Sequence, residues 1–177
     1  AMRGAADRER FSYEVGLLER PTPPGMVRDT LEVAIGAGTR DWERAKEGIS
    51  HWAHFNLGWA GVVAGERPPE PGLDVVIHAT LLGVHVTPVC RVIRTHDEEA
   101  ATGARFGFTY GSLESHVETG EELFEVTRTA DGRVSYRIEV VARPGRWYTR
   151  LARPLVDRYR GRFRLDSAEA MRRYVAG

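Results

Sequence analysis

Disulfide chemistry is absent from this chain. It has one cysteine, Cys90, in 177 residues, so no intrachain framework of cross-links can hold it. Lysine is nearly missing as well: Lys46 is the only one, and the other basic residues are arginines. A GC-rich genome accounts for that usage without a functional reason. Neither sign of charge is in excess, with 25 basic and 25 acidic residues and a formal net charge of zero. No bulk attraction to nucleic acid or to a membrane surface follows. No apolar run approaches the ~20 residues of a bilayer-spanning helix, and the N-terminus has no signal-peptide pattern. These absences predict a cytoplasmic protein with no nucleic-acid partner and no membrane insertion. Two chemical patterns are missing too. Gly36-Ala-Gly38 lacks the G-x-G-x-x-G spacing of a dinucleotide turn. His51 and His54 sit three apart on a helix, a spacing able to share a metal, but no H-E-x-x-H pattern and no third ligand accompany them. Neither a metal nor a cofactor is expected.

What remains is an ordinary globular composition in a chain long enough for one substantial core. A single domain over 1–177 is expected, with residues 1–10 disordered or vector-derived. Val27 to Ile35 alternates apolar and polar residues, the period of a half-buried strand. Asp41 is placed to cap a helix running to about Phe55, with Trp42, Ala45, Ile49, Trp52 and Ala53 as its apolar stripe. A short strand at 60–64, a proline-rich loop at 66–72 and strands at 73–82 and 85–95 follow. His96 to Gly103 reads as an acidic turn. Strands at 104–111, 120–129 and 133–142 complete a meander, with Asp131-Gly132 as a hairpin turn. From Trp147 to Val175 the period becomes helical, and Trp147, Leu151, Leu155, Tyr159 and Phe163 recur every four residues. Leu151, Leu155 and Phe163 are expected to be buried. Pro154 should kink or restart that helix, and Asp166 or Ser167 would cap a second segment over 168–175. An antiparallel sheet with helices to one side is α+β.

The densest chemistry lies between Arg105 and Phe124. Phe106, Phe108 and Tyr110 alternate with Arg105, Gly107 and Thr109 as one strand, and Leu123, Phe124 and Val126 open another. Between them lie Ser112, Ser115, His116, Glu118, Thr119, Glu121 and Glu122. A turn needs no histidine among three carboxylates. This stretch resembles the signature of DUF1990 (UPF0548-type proteins), a bacterial and plant family reading roughly G-F-x-Y-G-T-L-x-x-H-x-E-x-G-E-E-x-F. The matching residues are Gly107, Phe108, Tyr110, Gly111, Ser112, Leu113, His116, Glu118, Gly120, Glu121, Glu122 and Phe124, with Ser112 in place of the usual Thr. The resemblance extends to Phe11–Gly16, Asp41–Ala45, Pro88–Arg91 and the Pro154–Met171 tail. It implies a START-like helix-grip fold, a curved antiparallel sheet wrapped on a long C-terminal helix, and brings no settled reaction. Folds of that kind, shared by pollen-allergen, lipid-transfer and polyketide-cyclase proteins, commonly keep a ligand cavity between sheet and helix.

The candidate catalytic residues are His116, Glu118 and Tyr110. A histidine whose tautomer a carboxylate fixes can move a proton, and a tyrosine hydroxyl can polarise a ligand oxygen. The competing reading is structural: His116 caps a turn, and the carboxylates bind backbone or arginines. Phe106, Phe108 and Tyr136 are expected to line the cavity, with Tyr13 at one mouth and Arg91 as a further ligand contact. For Tyr110, Tyr136 and Tyr13 the alternative is plain core packing. Cys90 and Arg91 are adjacent on a strand, so they point to opposite faces and do not form an activated thiolate pair. The expected function is binding of an apolar, oxygenated small molecule, with cofactor-free cyclase, dehydratase or isomerase chemistry in bacterial secondary metabolism. A non-catalytic carrier or sensor of the same ligand is the alternative, and a homodimer is left open.

Overall fold

Strands form where apolar residues alternate, and all of them join one sheet. The computed structural model describes residues 9–63, 67–81, 83–145 and 153–177. Strand β1 (Val27–Ala37) is followed by helix α1 (Gly38–Ser50) and a 3-10 turn at Ala53–Phe55. Then come β2 (Ala60–Val63), β3 (Asp74–Leu81), β4 (Val84–Val86), β5 (Val89–Ala100), β6 (Gly103–Ser112), β7 (Glu118–Thr129) and β8 (Arg133–Pro144), and helix α2 (Arg153–Ala176). The strand order is β1-β8-β7-β6-β5-β3-β2, with β4 paired to β3. Every pairing is antiparallel. The curved sheet with its C-terminal helix is the START-like, α+β arrangement expected.

The stretch 96–103 differs from expectation. It is not an acidic turn: His96 to Ala100 continue β5, opposite Gly107 to Gly103 on β6. Alternating charge suits this solvated end of the hairpin, where Arg105 binds Glu98 and Arg128 binds Glu99. Helix α1 also starts earlier than Asp41. Its N-cap is Ala37, and Asp41 reaches back to accept the Ala37 backbone N–H at 2.9 Å. A carboxylate in the first turn still satisfies a free donor there and complements the helix dipole.

One face of the sheet carries Phe106, Phe108 and Tyr110 from β6, Phe124 and Val126 from β7, and Tyr136 and Ile138 from β8. The register sets Phe108 beside Phe124 and Phe124 beside Ile138. Onto this face pack Trp42, Ala45 and Ile49 from α1 and Ala168, Met171 and Val175 from α2. The two helices approach closely at Gly48, where a Cβ would meet Tyr174 at 3.0 Å and Met171 at 3.1 Å. Helix α2 runs unbroken through Asp166 and Ser167, so neither caps a second segment. Asp166 instead accepts the Trp59 indole N–H at 2.7 Å, and Ser167 bonds the Tyr136 hydroxyl at 2.8 Å. Pro154 lies in the first turn, where its missing N–H costs no helix bond. Phe163 is half-buried against the core. Trp147, Leu151 and the side chain of Leu155 lie outside the described residues.

The opposite face is covered by the N-terminal segment. Gly16 and Leu18 donate backbone N–H groups to the Glu121 carboxylate at 2.6 and 3.3 Å. Arg28, ion-paired with Glu139, donates to the carbonyls of Leu17, Leu18 and Arg20. The Tyr13 hydroxyl donates to Gly120 O at 3.0 Å. Gly111 makes room for that ring, because a Cβ there would lie 2.1 Å from the Tyr13 hydroxyl. Glu121 is 2 % exposed. Glu121→Ala should therefore leave two enclosed donors unpaired and cost about 2–4 kcal/mol. Urea denaturation checks this. A loss below about 0.5 kcal/mol would mean that water replaces the carboxylate freely.

Candidate functional site

Between sheet and α2, at the Tyr110 end of β6, lies a cavity of about 250 Å³. Its walls are mainly apolar: Phe55, Trp59, Ile77, Val86, Pro88, Val140 and Phe163. Its polar members are Tyr110, Ser112, His116, Glu118, Glu122, Tyr159, Arg160 and Arg164, with Cys90 beside them, while Glu121 borders it with its carboxylate turned to the other face. The β7 alternation explains the acid on this wall. Glu122 is in phase with Phe124 and Val126, so it takes the inner face that they take. Trp59, just before β2, and Tyr159, on α2, both line the cavity, and their rings stand 5.9 Å apart by centroids.

Tyr110 donates its hydroxyl hydrogen to Glu122 Oε2 at 2.8 Å. Burial raises the Glu122 carboxyl to about 7, opposed by the Tyr110 hydrogen bond and assisted by the nearby Glu118. Glu122 is half-buried and lines the cavity. Burial also pushes the Tyr110 phenol well above its usual range, with Glu122 adding to the shift. Tyr110 therefore remains a donor at neutral pH. The Cys90 thiol is pushed up by burial and then by Glu122 and Glu118, so it stays protonated. It faces the cavity while Arg91 faces the other way, binding Asp74 and the Glu9 carbonyl.

His116 and Glu118 share the cavity wall, but not as a carboxylate-oriented pair. His116 Nδ1 lies 2.9 Å from the Glu118 backbone nitrogen and 3.0 Å from the Glu118 carbonyl oxygen, so the backbone of Glu118 holds the ring in either tautomer. The Glu118 carboxylate turns instead to Arg160 on α2, at 2.5 Å. Helix α2 supplies an arginine partner, as the structural alternative for this carboxylate had it. Burial lowers the His116 ring to about 4, the Arg160 charge adding to the effect and the Glu118 backbone bond opposing it. His116 is thus neutral at physiological pH. Burial raises the Glu118 carboxyl and Arg160 opposes it.

Five residues expected to contact ligand lie elsewhere. Phe108 and Tyr136 are fully buried in the core, and Phe106 packs against it. They share the inner face with Tyr110 but stand farther along the strands, where α1, the 53–55 turn and the C-terminal half of α2 fill the space. Tyr13 and Arg91 are on the opposite face, in the N-terminal segment's contact. The cavity residues not singled out from the sequence are Glu122, Arg160 and the Trp59–Tyr159 pair. The in-phase position of Glu122 was the readable signal for the first.

His51 ends α1 in solvent, whereas His54 is fully buried among Trp52, Phe55, Phe108, Phe124 and Tyr136. Among the described residues no group of three His, Cys, Asp or Glu side chains is arranged to hold a metal ion. Both His54 ring nitrogens lack a hydrogen-bond partner among the described residues. Burial alone lowers its pKa from 6.5 to about 3. A depressed histidine contributes stability that is present above pH 6.5 and is lost as pH falls toward 3. His54→Phe should therefore flatten the acid limb of a stability–pH curve and add about 1–3 kcal/mol at neutral pH. Thermal melts between pH 4 and 8 test it, and an acid limb unchanged in the variant would remove His54 as its cause.

A family model described as a domain of unknown function, DUF1990, matches residues 12–170. The chain belongs to the DUF1990 family. It is 27% identical over 155 residues to a UPF0548 protein of Dictyostelium discoideum, covering 83% of this chain and 72% of that one. To a UPF0548 protein of Arabidopsis thaliana it is 28% identical over 153 residues, covering 85% and 74%. A crystal structure of a hypothetical protein from Helicobacter pylori shares the fold with a TM-score of 0.52 at 9% identity, covering 97% of this chain and 99% of that one. The DUF1990 signature acquires physical meaning here. Ser112 Oγ accepts the Gly120 N–H at 2.9 Å and donates to Gly120 O at 3.3 Å. A hydroxyl at 112 therefore closes the base of the loop that carries His116. Of the paired acids, Glu121 holds the N-terminal segment and Glu122 faces the cavity.

Proposed function

We propose that the protein binds an apolar, oxygenated small molecule in the cavity between sheet and α2, and acts on it by cofactor-free acid/base chemistry of the cyclase, dehydratase or isomerase kind. The observation that carries this reading is Glu122. It is a carboxyl set in an apolar cavity, hydrogen-bonded to Tyr110, with its pKa brought to about 7. A group poised near the working pH is what proton transfer needs, and a structural carboxylate would gain from a lower pKa. A carrier is the second reading. It is favoured by the way Tyr110 already occupies Glu122 and Arg160 already occupies Glu118. A cytoplasmic setting fits the single buried thiol. Relatives in Dictyostelium and Arabidopsis widen the setting beyond bacterial secondary metabolism.

Ligand-observed NMR with cyclohexanone and acetophenone tests the binding step. Both should give saturation-transfer signals with the native protein, and Ala142→Phe should abolish them by filling the space beside Val140. Absence of any signal at millimolar ketone would reject the cavity as a ligand site.

A further inference from the structure

Resting on that reading, we infer that the ligand is an uncharged carbonyl compound with a hydrogen on the adjacent carbon, and that the chemistry begins with its enolisation, Glu122 taking the proton and the Nε2–H of His116 holding the oxygen. Two geometric facts select an uncharged ligand. Both guanidinium groups on the cavity wall already carry counter-ions, Arg160 with Glu118 at 2.5 Å and Arg164 with Asp29 at 2.6 Å. A carboxylate or phosphate would have to compete with these pairs and would then sit beside Glu118 and Glu122. The apolar remainder of the wall, from Phe55 and Phe163 to Ile77 and Val140, suits a hydrocarbon body.

The donor and the base then have distinct places. With His116 Nδ1 accepting the Glu118 backbone N–H at 2.9 Å, the alternative to donating to the Glu118 carbonyl at 3.0 Å, the ring carries its hydrogen on Nε2. A neutral imidazole cannot deliver a full proton cheaply, but it can donate a hydrogen bond to an oxygen that gains charge. Glu122 is held by the Tyr110 hydroxyl on Oε2, and its other oxygen is the one assigned to the substrate. Its electrostatic surroundings come from every element packed on it: Tyr110 on β6, Cys90 on β5, Tyr136 on β8, Glu118 on β7, and Arg160 and Arg164 on α2. In the step, a Glu122 carboxylate oxygen takes the hydrogen from the carbon next to the carbonyl. The C–H electron pair becomes the C=C bond, and the carbonyl π pair moves to oxygen, which accepts the His116 hydrogen bond. Glu122 then returns the proton to the same carbon or to a neighbouring one. Nothing is oxidised or reduced, and no co-reactant is consumed.

Hydrogen–deuterium exchange at the α-carbons of cyclohexanone and acetophenone in D2O, followed by NMR, reads this step directly. Binding of each ketone and of benzoate is measured in the same samples. Expected is exchange about 10²–10⁴-fold above the protein-free buffer rate, rising through a midpoint near 7. Glu122→Gln should return exchange to the buffer rate while still binding the ketones, and His116→Phe should slow it without moving the midpoint. Benzoate should not bind. Ketone binding with exchange at the buffer rate would overturn enolisation and leave the ligand site standing. Benzoate binding as well as acetophenone would overturn the uncharged ligand. Exchange that survives in Glu122→Gln would overturn the assigned base. No ketone binding at all would defeat the ligand-site reading itself, and this inference with it.

Discussion

Glu122→Gln should lower turnover on a bound carbonyl ligand by about 10²–10⁴-fold and at the same time make the protein more stable at pH 8. The amide keeps the size of the side chain, and its carbonyl oxygen can still accept the Tyr110 hydroxyl. What it loses is the ability to take a proton. The stability effect follows from linkage. A carboxyl raised from 4.5 to about 7 in the folded protein holds its proton longer there than in the unfolded chain. It contributes stability that is full below pH 4.5 and is lost as pH rises through 7. The amide has no such slope. Melting curves of the two proteins should therefore separate in favour of the variant between pH 5 and 8. Opposite signs for activity and stability are the mark of a group held in an unfavourable site for chemical use. If Glu122→Gln instead destabilises the protein at pH 8, the carboxylate has a structural partner there.

Phe124→Ala should cost about 3–5 kcal/mol, which for a chain of this size is a fall of roughly 6–20 °C in melting temperature. Phe124 is fully buried, and its ring lies 4.7 Å from His54, 5.3 Å from Phe108, 5.3 Å from Tyr110 and 5.5 Å from Phe55 by centroids. Its loss removes the shared neighbour of the cluster. Phe55 and Phe163 wall the cavity and rest against it, Phe163 at 6.2 Å. Ketone binding should therefore weaken along with stability. Urea denaturation gives the first quantity and the ketone titration the second. A cost under about 1 kcal/mol would mean that the aromatic cluster is not the mechanical centre of the core.

The sheet was readable because its strands alternate on one apolar face. Val134, Tyr136 and Ile138 in β8 face the core, and Val140 in the same phase reaches the cavity, as their period requires. The acidic hairpin end was not readable, because His96–Ala100 is polar on both faces where the sheet runs into solvent. The site was readable in part. The loop chemistry between Tyr110 and Phe124 marked the right stretch, since a polar loop at the end of two core strands borders whatever opens there. Which aromatics reach the cavity was not readable. Phe106, Phe108 and Tyr110 are equivalent by period, and only the helices above them decide that the space lies over Tyr110 alone. The partner of Glu118 was hidden for a similar reason. Arg160 is far along the chain, and no local spacing links a strand residue to a helix that crosses it.

Direct titration of the Glu122 carboxyl carbon by NMR, with and without saturating acetophenone, tests the reading of the cavity most simply. The expected midpoint is about 7 in the free protein, and it should rise when the ligand displaces water from beside the carboxyl. Tyr110→Phe should raise it as well, because the lost hydroxyl stabilises the carboxylate. A midpoint in the ordinary carboxylate range, unmoved by acetophenone, would show Glu122 to be a solvated surface acid and would contradict the site.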